Sequence, residues 1–167
     1  MNKKRLLGYL KEGVFLLVFV TVLANILSLY NARSLSDAPL HIKSFHLIGN
    51  INSPVPNDRP IMVHFWGSWC PVCKAEADNI DRLSKYYEVV TVAVNSGDDA
   101  TLKKYLQEHN LHYKVVNDQG GIFAKSFNIQ AFPTTFIYDK KGELVFKEVG
   151  YTSTLALWMR LLWAEIK

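Results

Sequence analysis

Four runs along the chain are apolar nearly throughout, and their lengths separate them. Residues 61–66, 89–94 and 134–138 are short, rich in Val, Ile, Phe, Thr and Tyr, and bounded by Gly, Pro, Asn or Asp. Such runs predict central strands covered on both faces. The fourth, residues 13–30, is 18 residues long and carries no charge. Elsewhere the spacing turns helical. Residues 70–87 read as an amphipathic helix, and 98–109 as a second with Leu102, Tyr105 and Leu106 on one face. Residues 154–166 read as a last helix, capped by Ser153 or Thr154, with Leu155, Trp158, Leu162 and Trp163 forming its apolar stripe.

The remaining segments fill in around these. Residues 31–40 read as a linker and 41–48 as a loosely alternating short strand. Residues 49–60, with three prolines and Gly49, read as a loop. A short strand is predicted at 113–116, a turn at 117–121 and a short helix at 122–127. A hairpin turn at 139–142 leads into a return strand at 144–149, which Gly150 ends. The pattern is α/β: a mixed sheet sandwiched by helices. It divides the chain into a basic N-terminus (1–12), an apolar segment (13–30), a linker (31–40) and one domain (41–167).

At helical rise the 18 uncharged residues span about 27 Å, close to the roughly 30 Å of a bilayer's hydrocarbon core. Lys3, Lys4, Arg5 and Lys11 precede them and only Arg33 follows closely, an asymmetry that places the N-terminus in the cytoplasm. A cleaved signal peptide is the alternative. Its apolar region is shorter, about 7–15 residues, and ends in a small-x-small site. Tyr30-Asn31-Ala32 fits that poorly and Ser34-Leu35-Ser36 fits it better. Either way the domain lies outside the cytoplasm. The net charge of +4 is concentrated in this N-terminal segment, so no basic face is implied and nucleic acid is not an expected partner.

The only two cysteines, Cys70 and Cys73, stand where the strand at 61–66 meets the helix that follows. A thiol at a helix start lies beside unpaired backbone amides and the positive end of the helix dipole, which favours thiolate. Pro71 fits the first helical position, where a missing N–H is no loss. An exposed, acidic Cys70 backed by a more buried Cys73 makes a dithiol/disulfide couple. A structural disulfide is a weaker reading, because a loop this short constrains little of the unfolded chain. A zinc half-site would need His109 and His112, spaced far from finger-like geometry. Neither these two histidines nor His41 and His46 has an assignable partner.

Phe65-Trp66-x-x-Trp69-Cys70-x-x-Cys73, then Phe132-Pro133-Thr134-Thr135-Phe136 opening a strand, then a Lys-Gly hairpin and Gly150 before a final helix, together resemble the thioredoxin family. The likeness covers roughly residues 38–167. Extra chain between Val94 and Phe132, enough for a helix and a strand, and the N-terminal apolar segment resemble its membrane-anchored TlpA/ResA-like branch. The Pro-Val dipeptide is similar to suppressor-for-copper-sensitivity D type proteins. The resemblance implies a thioredoxin fold with an inserted helix and strand. It also implies Cys70 as nucleophile, Cys73 as resolving thiol, a cis Pro133, and a Phe132 backbone that pairs with a substrate strand. Trp69 and Pro71 are expected to flank the substrate, and Trp66 to lie in the core.

Two residues are candidates for moving the proton of Cys73. Glu76 shares a helix face with it and matches a glutamate of TlpA/ResA-like proteins; the alternative is a solvated helix glutamate. His64 stands where thioredoxin has a buried aspartate, and the alternative there is a neutral core histidine. Ala131-Phe132 and Asp78 depart from the family pattern, where a glycine with a small residue and a proline are common. The expected function is a membrane-anchored extracytoplasmic thiol–disulfide oxidoreductase without cofactor or metal. It would reduce disulfides of exported proteins with electrons from a transmembrane reductase. A disulfide oxidase or isomerase, a Cu(I)-binding dithiol and a redox-inert scaffold are the alternatives.

Overall fold

A computed structural model of the chain describes residues 3–167. Its centre is a five-stranded sheet in the order β5-β4-β3-β6-β7. β3 (Ile61–Trp66) is buried at every position, as its unbroken apolar run requires of a strand covered on both faces. It pairs in parallel with β4 (Glu88–Val94), which pairs in parallel with β5 (Lys114–Asp118). On its other side β3 runs antiparallel to β6 (Thr134–Tyr138), which makes a hairpin with β7 (Leu144–Val149).

Alternation along β3 assigns its side chains to two cores. Met62 and Trp66 pack with α2 (Pro71–Ser84), α3 (Asp99–Glu108) and α5 (Thr154–Ile166) through Ile80, Leu83, Leu102, Leu157 and Leu161. Ile61, Val63 and Phe65 pack on the opposite side with Phe136 and with α4 (Ile122–Ser126). There Phe65, Phe123, Phe127 and Phe136 form a run of ring contacts with centroids 5.0–6.0 Å apart. The helix and strand anticipated between Val94 and Phe132 are α3 and β5. Both proton-transfer candidates fall on the first of these two sides, His64 by strand alternation and Glu76 by its place on α2.

Four segments differ from the sequence reading. Within 49–60 lies a strand, β2 (Ile51–Pro54), antiparallel to β1 (Ser44–Leu47). Gly49 and Asn50 both take positive φ, so the residues that looked like loop formers make a hairpin turn. The hairpin sits at the β5 edge, where the Ile48 amide donates to the Val115 carbonyl at 2.9 Å. The segment read as a linker is packed: Leu35 is buried, and the Ser36 and Leu40 amides donate to the Phe127 and Gly142 carbonyls. The N-terminal helix, α1 (Lys3–Ala32), extends well beyond the apolar run on its N-terminal side. Counted over the described residues, no helix is long and apolar enough to cross a membrane.

The fourth difference concerns α5. Its inward face is Leu157, Leu161 and Ala164, whereas Leu155, Trp158 and Trp163 of the anticipated stripe are exposed. The helix carries apolar residues on both sides, and periodicity alone does not say which side meets the sheet. Leu161→Ala is therefore expected to destabilise the protein by about 2–5 kcal/mol. Leu155→Ala should change stability by less than about 0.5 kcal/mol. Denaturant midpoints of the two variants check the assignment, and equal losses would contradict it.

Candidate active site

α2 begins at the dithiol. Cys70 is its N-cap residue in extended conformation, and Pro71 occupies the first turn, where no amide is needed. The Cys73 amide donates to the Cys70 sulfur at 3.2 Å, so a sulfur satisfies one of the unpaired N–H groups of the helix start. This contact, with the helix dipole behind it, stabilises negative charge on Cys70 when the pair is reduced. Here the two cysteines are joined in a disulfide.

The sequence reading of an exposed Cys70 over a buried Cys73 is corrected: the residues are 5% and 3% accessible. The cover comes from across the sheet. The Cys70 sulfur lies 3.8 Å from the Phe132 carbonyl oxygen, and the Phe132–Pro133 peptide bond is cis. The Phe132 ring meets the Trp69 indole edge-on, with centroids 5.3 Å apart. Trp69 itself is 53% exposed and forms the outer wall of the site, and Pro71 is exposed beside it. Trp66 packs inward between Tyr105 and Tyr113.

Several parts of this arrangement were not legible in the sequence. The Trp69 indole N–H donates to the Val94 carbonyl at 3.1 Å, and the Ser96 hydroxyl donates to the same carbonyl while accepting the Ser68 amide. The end of β4 thereby holds the loop between β3 and α2. Gly67 is required there, because a Cβ at that position would lie 2.5 Å from the Trp69 ring. Beyond Phe132 a cleft of about 390 Å³ is lined by Asn95, Lys125, Asn128 and Gln130. No spacing rule links these side chains, which come from two separate loops and a short helix.

The two proton-transfer candidates part company. His64 faces the α2 side of the sheet, alongside Met62 and Trp66, and its Nδ1 lies 2.9 Å from the Thr135 hydroxyl. Burial pushes its pKa down to about 3, so it stays neutral. Glu76 is fully buried, not solvated. Burial pushes its carboxyl up to about 8; the Thr152 amide, donating to Oε1 at 2.9 Å, opposes this, and the charge of Glu148 adds to it. Its other oxygen has no hydrogen-bond partner. Glu148 in turn accepts from the Thr152 hydroxyl and is ion-paired with Arg160. With the disulfide closed, Glu76 therefore carries a proton at neutral pH. Asp78, two residues on, is exposed. Among the described residues no cluster of three or more His, Cys, Asp or Glu could hold a metal.

This geometry sets a pH dependence. Glu76 binds its proton more tightly folded than unfolded, so its stabilising contribution is full below about pH 4.5 and is lost as pH rises through about 8. The disulfide form is expected to lose stability across that window, at up to about 1.4 kcal/mol per pH unit from this group. Glu76→Gln should flatten the slope. Denaturant unfolding at a series of pH values measures it, and an unchanged slope in the variant would contradict the assignment.

Known proteins place this architecture. The Redoxin family model matches residues 53–156. A thioredoxin-like protein of Haemophilus influenzae is 33% identical over 159 residues, 93% of this chain and 95% of that protein. The thiol-disulfide oxidoreductase ResA of Bacillus thuringiensis is 30% identical over 91 residues, 52% of this chain and 53% of its own length. Among solved structures, StoA from Bacillus subtilis shares the fold with a TM-score of 0.64 at 23% identity, covering 75% of this chain and 98% of that one. The chain belongs to the Redoxin family, and its disulfide-bonded Cys70–Cys73 pair is that of a thiol–disulfide oxidoreductase.

Proposed function

We propose that the chain is a membrane-anchored, extracytoplasmic reductase of disulfides in exported proteins, fed with electrons by a transmembrane reductase. The observation that carries the redox part is a sulfur pair at a helix start with a buried, proton-holding carboxyl one turn behind it. Cys70 as thiolate attacks a substrate disulfide. One substrate sulfur leaves, taking a proton from solvent, and a mixed disulfide forms. In the fraction of molecules whose Glu76 is ionised, Cys73 passes its proton to that carboxylate and attacks the Cys70 sulfur, which releases the second substrate sulfur as a thiolate that solvent protonates. Two electrons have moved to the substrate, and the enzyme is left as the disulfide with Glu76 neutral. Running backwards, Glu76 returns the proton to Cys73.

Substrate is held at the opposite wall. The Phe132 backbone next to the cis Pro133 offers a pairing edge to an extended segment, Trp69 and Pro71 flank its cysteine, and the cleft beyond Phe132 receives the neighbouring residues. His64 has no part in the proton transfer. The anchor is supported by the uncharged run 13–30 inside α1, whose exposed Val14, Phe15, Leu16, Val18, Phe19 and Val20 surround the helix and do not form one stripe. The basic residues ahead of it orient the domain outward.

The reduction potential of the couple, equilibrated with glutathione buffers, tests the direction of flow. A value near about −270 mV, as in thioredoxin, is expected. A value near about −120 mV, as in a strong oxidant, would assign the chain to disulfide formation instead. Cys73→Ser should accumulate a mixed disulfide with protein substrates and Cys70→Ser should not, as non-reducing gels will show.

A further inference from the structure

The exposed side of α5 is the largest feature the redox chemistry leaves unused. Leu155, Trp158, Met159, Trp163 and Ile166 recur at helical spacing on it, with Trp163 62% and Ile166 83% accessible. Tyr86, just past the end of α2, is exposed beside them, and a cleft of about 750 Å³ runs between the two helices. The charged Arg160 is drawn away from this face to Glu148, while Arg82 and Glu165 line the edge of the cleft. α5 carries large apolar residues on its outer side as well as its inner one, and the domain covers only the inner side.

We propose that this face of α5 lies on the surface of the bilayer, with Trp158 and Trp163 at the level of the lipid headgroups. The inference rests on the anchored reading given above, and three observations point to lipid as the occupant. The first is the absence of slack. Tyr30 ends the uncharged run, yet Ala32 and Leu35 are already buried in the domain, so the domain is held directly against whatever α1 enters. The second is position. Ser28, near the outer end of the run, accepts the Val149 amide and lines one cleft with Ala156 and Arg160 of α5. α1 therefore leaves the domain beside α5. Val20 lines the same cleft, so the proposal requires this contact to open when the run 13–30 enters lipid. The third is composition: tryptophan with Leu, Met and Ile is the residue set of a helix lying in the interface plane. The dithiol sits at the opposite end of α2 from Tyr86 and stays clear of the lipid.

All four tryptophans follow residue 65, so their emission reports on the domain and not on α1. The test reconstitutes the full chain in phosphatidylglycerol–phosphatidylethanolamine vesicles with brominated acyl chains, then measures flotation and tryptophan quenching. Flotation with quenching, and loss of that quenching in the Trp158→Phe/Trp163→Phe double variant, is the expected result. Flotation without quenching would overturn the inference while leaving the anchor intact. Concentration-dependent cross-linking through Leu155→Cys would then assign the face to a second copy of the chain. Failure to float would remove the anchored reading, and this inference with it.

Discussion

A helix start must satisfy its first amides, and here a sulfur atom does so. The Cys73 amide points at the Cys70 sulfur, and the chemistry depends on that contact being held against a wall the helix does not supply. β3 delivers the loop and β6 brings Phe132 and Pro133 opposite. The end of β4 fixes Trp69 and Ser68 through the Val94 carbonyl and the Ser96 hydroxyl. Three adjacent strands, buried because both faces of the sheet are covered, thus set one sulfur's surroundings. Loosening any of them would move the pairing edge relative to the nucleophile.

Behind the sulfurs the constraint is desolvation. A carboxyl with no access to water and one amide donor is more stable neutral, and Glu76 is in that position because the chain entering α5 crosses above it at Thr152. His64 experiences the same burial with the opposite outcome, since burial removes a proton from imidazole and adds one to a carboxylate. One environment therefore leaves two neutral groups, of which only the carboxyl holds a proton that Cys73 can have donated. The disulfide state and the protonation state of Glu76 are two parts of the same balance.

Much of this was readable from the residues. Runs such as 61–66 and 89–94 have no solvent-facing alternative, so their place in the sheet follows from composition, and Cys70, Pro71 and Cys73 announce a helix start by position. What was not readable depends on chain far away in sequence. Glu76 is buried by a residue 76 positions later, and Cys70 is covered by Phe132. The inward side of α5 is chosen by its packing with the α2 side of the sheet, while two apolar stripes compete in its sequence. β2 was missed for a local reason: Gly49 and Asn50 look alike whether they open a loop or close a hairpin.

The central claim is that Glu76 takes the proton of Cys73 when the mixed disulfide resolves. Rapid-mixing measurements on the reduced protein with a disulfide substrate separate attack by Cys70 from resolution by Cys73. In Glu76→Gln, attack should keep its wild-type rate while resolution falls by about 10²–10⁴-fold near neutral pH. Resolution at the wild-type rate, or an equal loss in both steps, would contradict the account.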